Sequence, residues 1–84
     1  MAKYDSLKEF LEKERGSAIK MSFRDVDELV EGLPSSAYRR REWWANERDG
    51  RHGQARAWMS AGWLVDAVSI DNRHVVFRRN SASS

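Results

Sequence analysis

Gln54-Ala55-Arg56-Ala57-Trp58-Met59-Ser60-Ala61 sets Ala55, Trp58 and Met59 at helical spacing, with Gln54, Arg56 and Ser60 on the other side. That is the pattern of a short amphipathic helix, and Gly62 is suited to end it. Directly after it, residues 63–70 and 75–79 are rich in β-branched and aromatic side chains and flank the polar turn Asp71-Asn72-Arg73-His74, which predicts a hairpin. Setting Ile70 opposite Val75 brings Val68 opposite Phe77 and Asp66 opposite Arg79. This register yields two apolar cross-strand pairs and one ion pair on a single face.

Working towards the N-terminus, Trp43 and Trp44 follow a Ser-capped stretch, 35–44, that predicts one short helix. Adjacent helical positions point about 100° apart, so the two indoles cannot share an environment, and one of them is expected to be partly exposed. Asn46 reads as a residue ending that helix, because Asn tolerates left-handed backbone. Residues 45–53, with two glycines and alternating charge, read as an exposed loop. Further back, Ser22 and Asp25 have capping-box spacing ahead of Val26, Leu29, Val30 and Leu33, with Gly32 and Pro34 as terminators. Ile19 and Met21 alternate with polar residues as in a short half-buried strand. The first helix is expected to start at Ser6, boxed with Glu9, to carry Leu7, Phe10 and Leu11 on one stripe, and to stop at Gly16.

The predicted order is helix, strand, helix, short helix, loop, helix and hairpin. An isolated hairpin is marginal in water, so the early strand is expected to join it as a third antiparallel strand over a helical core. The expectation is an α+β, winged-helix-like domain of three or four short helices and a three-stranded antiparallel sheet, spanning residues 1–79, with a disordered tail at 80–84. A generic sheet-on-helices fold is the alternative. At 84 residues the chain has material for one core and excludes two domains.

Composition narrows the function. No cysteine is present, which removes disulfides and thiolate metal sites. The two histidines, His52 and His74, stand in loop and turn, and no GxSxG, GxxxxGK[ST] or HExxH pattern occurs. A non-enzymatic domain without cofactor, metal or small-molecule substrate is expected. With no apolar leader and no run near 20 apolar residues, a cytoplasmic location and no membrane partner are expected.

Charge is unevenly distributed. Residues 1–34 carry six Lys/Arg against eight acids, whereas residues 35–84 carry nine Arg, no Lys and five acids. Arginine grips phosphate or a guanine edge bidentately, which lysine cannot do. The expected ligand is therefore DNA, approached in helix-turn-helix fashion by the helix 54–61. Gln54 and Arg56 are placed to read base edges, Arg40, Arg41, Arg48, Arg51 and His52 to hold phosphates, and Arg73 at the hairpin tip to touch backbone or minor groove. A module binding a protein, such as a phage factor acting on a host protein, is the competing expectation, because a scaffold does not dictate its ligand.

Four blocks carry a resemblance. They are Leu33-Pro34-Ser35-Ser36-Ala37, Trp43-Trp44-Ala45-Asn46, the run from Ala57-Trp58 through Ala61-Gly62-Trp63-Leu64-Val65, and Val75-Val76-Phe77-Arg78-Arg79. With Tyr4-Asp5 and Leu7 they resemble a family of small uncharacterised bacterial and phage domains with LPxSA, WWxN and AWxxAGWxV blocks and a VxFRR end. The resemblance covers nearly the whole chain and implies one compact domain; it implies no activity.

Overall fold

The computed structural model describes residues 3–46 and 53–80. The elements are α1 (Asp5–Lys13), β1 (Ala18–Ser22), α2 (Phe23–Val30), α3 (Ser35–Arg39), a 3-10 helix (Arg41–Trp44), α4 (Gly53–Ser60), β2 (Trp63–Ser69) and β3 (His74–Arg79). The strands form one antiparallel sheet in the order β1-β3-β2. The early strand thus covers the free edge of the hairpin, in the winged-helix-like α+β arrangement expected. Among the described residues no helix is long and apolar enough to cross a membrane.

Local chemistry accounts for most boundaries. Ser22 caps α2 by accepting from the Asp25 amide at 3.0 Å, and Asp25 accepts in return from the Ser22 amide at 3.4 Å. Beyond Val30, Glu31 and Gly32 take positive φ, and the Gly32 amide donates to the Asp27 carbonyl at 2.9 Å, closing the last turn. The start of α1 differs from expectation. It begins at Asp5 with Tyr4 as N-cap, and neither Ser6 nor Glu9 forms a box. Asp5 instead supplies the first-turn carboxylate that the helix dipole favours. The helix also stops at Lys13, before Gly16.

The hairpin register is corrected. Val68 faces Val75, Val65 faces Phe77 and Trp63 faces Arg79, with a bulge between Val65 and Ala67. Apolar residues change phase along this strand, from Trp63 and Val65 to Val68 and Ile70, and an extra residue at Asp66 lets both sets pack on the core. The displaced Asp66 pairs with Arg78, 3.2 Å from its Nε, in place of Arg79. Arg79 is used elsewhere. Its guanidinium lies 4.6 Å over the Trp63 ring and donates to the carbonyls of Glu14 and Gly16, just past the end of α1. The Asn80 amide donates to Gly62 at 2.8 Å, so ordered pairing reaches Asn80, and residues 81–84 of the expected tail lie outside the described residues.

The expected helix 35–44 is broken. Arg40 adopts extended backbone (φ −122°, ψ 121°), and a 3-10 turn follows. This break aims the two indoles differently: Trp44 is 1 % exposed while Trp43 is half-buried. Trp44 stacks between Phe23 (5.0 Å) and Trp58 (6.0 Å), and Trp58 meets Phe77 at 5.7 Å, so one aromatic column joins α2, the 3-10 helix, α4 and the sheet. Each buried indole N–H finds an acceptor: Trp44 donates to the Ala37 carbonyl, Trp58 to Asn46 Oδ1 and Trp63 to the Leu11 carbonyl, all at 2.9 Å.

Candidate nucleic-acid interface

The helix α4 was expected to present Gln54 and Arg56 together, and the structure separates them. Gln54, Ala55, Ala57 and Trp58 are all buried. Only Gly53, Arg56 and Ser60 are exposed, a stripe one residue wide along the helix. Gln54 is a correction. Its side chain is 6 % exposed and donates from Nε2 to the Trp43 carbonyl at 3.3 Å, so its amide joins α4 to the 3-10 helix and is not turned to solvent. The bond gives the Trp43 carbonyl, near the end of that helix, a donor from α4.

Arg40 and Arg41 are both exposed and diverge, because the chain turns at Arg40. Arg40 lines a cleft of about 710 Å³ between α3, the 3-10 helix and the start of α4, together with Tyr4, Pro34, Trp43 and Gln54. Arg41 lines a separate shallow groove beside Asn46, Val65 and Asp66 of the bulge. Gly53 both lines the cleft and heads the exposed stripe of α4 on which Arg56 lies, whereas Arg40 lines the cleft itself. Arg48, Arg51 and His52 lie outside the described residues.

Arg73 is exposed at the turn, with φ 54°, but the turn is tied down. Its carbonyl accepts from the Phe23 amide at 2.8 Å and its guanidinium lies 5.8 Å over the Tyr38 ring. Tyr38 in turn hydrogen-bonds Asp27. Burial first, and the Asp27 charge and hydrogen bond after it, hold the phenol above its ordinary value, with Arg73 pulling the other way. Burial raises Tyr4 likewise.

Among the described residues, ion pairs join Lys8 to Glu12, Arg24 to Glu28 and Arg78 to Asp66. Arg39, Arg40, Arg41 and Arg56 take part in none of them. The described residues hold no group of three or more His, Asp or Glu able to bind a metal ion.

Asn46 is the residue whose role the sequence did not reveal. It follows the 3-10 helix and its C-cap Ala45, and its carboxamide bridges to β2: Oδ1 accepts from the Val65 amide at 2.9 Å and Nδ2 donates to the Val65 carbonyl at 3.0 Å. An Asn two residues after a buried Trp, with a second buried Trp further on, is the available signal, since each buried indole needs an acceptor. No curated protein and no solved structure matches the chain. A family described as a domain of unknown function (DUF7662) matches residues 4–81, which run from Tyr4 at the cleft to just beyond the end of β3, and the chain belongs to that family.

Proposed function

We propose that the chain is a small non-enzymatic domain that binds nucleic acid, with double-stranded DNA as the ligand, held chiefly through its phosphates. The observation that carries this reading is the exposure of Arg40, at the cleft, and of Arg56, on α4, neither of them in an ion pair among the described residues. Exposed guanidinium groups free of ion pairs among the described residues, on a winged-helix-like scaffold, suit a polyanion, because phosphate neutralisation supplies the sequence-independent part of DNA affinity. Arg48, Arg51 and His52 are proposed to add phosphate contacts, and Arg41 contributes from its separate groove.

The burial of Gln54 shifts the mode of binding. Arg56 is the one α4 side chain left to reach a guanine edge, so the domain grips backbone more than it reads sequence. Arg73, held over Tyr38, contributes charge from the turn without extending as a free arm.

The test is a shift assay at low salt with random duplex, single-stranded DNA and RNA in parallel. The duplex is expected to bind, with log K falling linearly with log salt by about 0.9 for each phosphate neutralised. No shift of duplex at low salt, or affinity indifferent to salt, overturns the reading. The first outcome favours a shape-driven protein partner in its place; the second removes the phosphate-driven mode.

A further inference from the structure

Of the four tryptophans, Trp44, Trp58 and Trp63 are sealed in the core at 1 % exposure or less, and each donates its N–H internally. Trp43 alone is half-buried, and it lines the cleft that Arg40 borders. Its ring is fixed on several sides. Tyr4 meets it edge-on at 6.0 Å, Trp44 at 4.7 Å, and Gln54 holds its carbonyl. A rigid aromatic surface beside a guanidinium, in a cleft of about 710 Å³, lies within the usual range of small-ligand sites. Core packing alone does not call for a cleft at this indole.

We infer that this cleft takes one unpaired nucleotide, its base stacked on Trp43 and its phosphate on Arg40. Stacking on an aromatic side chain is tolerant of base identity, and a guanidinium is the natural partner of the attached phosphate. Glu42, the one acid among the described residues lining the cleft, is suited to accept from an exocyclic amine, so cytosine and other amino-bearing bases are favoured over thymine. The inference rests on the nucleic-acid reading above and adds to it a preference for duplexes that end in, or are interrupted by, a single-stranded nucleotide.

The experiment uses the full chain and compares a blunt duplex with the same duplex bearing a short single-stranded overhang, following both affinity and tryptophan fluorescence. The overhang is expected to bind roughly tenfold tighter, the scale of one stacked base, and to quench emission. Trp43→Leu is expected to abolish that preference, bringing the overhang duplex down to the affinity of the blunt one. Since Trp43 also packs on the aromatic column, Ser36→Glu supplies a second variant. It sets a carboxylate at the cleft wall in the first turn of α3, where an acid is tolerated, and is expected to erase the preference as well.

Equal binding of blunt and overhang duplexes by the unmodified chain overturns the inference and leaves the duplex reading intact. A preference that survives in both variants does the same. Quenching by the overhang strand alone, with no binding of blunt duplex, upholds the cleft and overturns the duplex reading. A ribonucleotide overhang bound as tightly as the deoxyribonucleotide one upholds the cleft and extends its ligand to RNA.

Discussion

The Asn46 carboxamide accepts the Trp58 indole N–H at 2.9 Å with the same oxygen that accepts the Val65 amide. One exposed side chain thereby holds α4, through its central buried residue, and the bulged strand β2. Asn46→Ala leaves the Trp58 N–H without its acceptor and is expected to cost about 2–3 kcal/mol, a fall in Tm of roughly 10 °C or more for a domain of this size. In a Trp58→Phe background, where no indole N–H exists, the same change is expected to cost about 1 kcal/mol less. A double-mutant cycle by chemical denaturation measures this coupling, and a coupling near zero contradicts the bridge.

Gln54 now belongs to the architecture, and its substitution tests that directly. Gln54→Ala removes the donor to the Trp43 carbonyl and is expected to lower stability by about 1–2 kcal/mol. Relative affinities for duplexes of different sequence are expected to stay unchanged. Thermal melts and competition between matched duplexes check the two halves; a stable variant with altered base preference reverses the assignment.

What was legible in the sequence follows from how local each signal is. The Ser22 box needs only two residues three apart, and the β1-β3-β2 order follows from a hairpin's need for a third strand. The bulge at Asp66 is present in the sequence as a phase change between Val65 and Val68, which a strictly alternating strand does not accommodate. The site was harder to read for a different reason. The exposure of Arg40, Arg41, Arg56 and Arg73 was foreseeable from side-chain chemistry, whereas the divergence of Arg40 from Arg41 depends on one extended residue inside an otherwise helix-compatible run. Gln54 was read as outward because it is polar; its inward turn answers a carbonyl eleven residues away that no local window contains.

Tyr38 gives the fold an alkaline limit. Its phenol titrates above the ordinary value of 10.0 because burial and Asp27 both disfavour the anion. The folded state thus favours the neutral form, so this contribution to stability is fully present below the ordinary tyrosine range and is lost as pH rises through the raised value. Stability is expected to fall above about pH 10, with Tyr38→Phe removing the Tyr38 part of that fall. Asp27→Asn is expected to bring the phenol back towards 10.0. The chain has two tyrosines, both raised, so the tyrosinate absorbance transition is expected to have its midpoints above 10.0; a midpoint at or below that value contradicts at least one of the two assignments.

Charge removal at Arg56 and at Arg78 separates binding from fold. Both side chains are exposed, but Arg78 is engaged by Asp66 on the sheet, whereas Arg56 has no ion pair among the described residues and lies on the exposed stripe of α4. Each substitution by Ala removes one positive charge, so a ligand attracted merely by net charge responds equally to both. For contacts made at the proposed surface, Arg56→Ala is expected to weaken duplex binding and to reduce the slope of log K against log salt by about one unit. Arg78→Ala is expected to leave that slope unchanged and to cost at most about 1 kcal/mol of stability, since an exposed ion pair contributes little. Parallel salt titrations decide the matter: equal losses for the two variants remove the surface assignment and reduce the interaction to unspecific attraction.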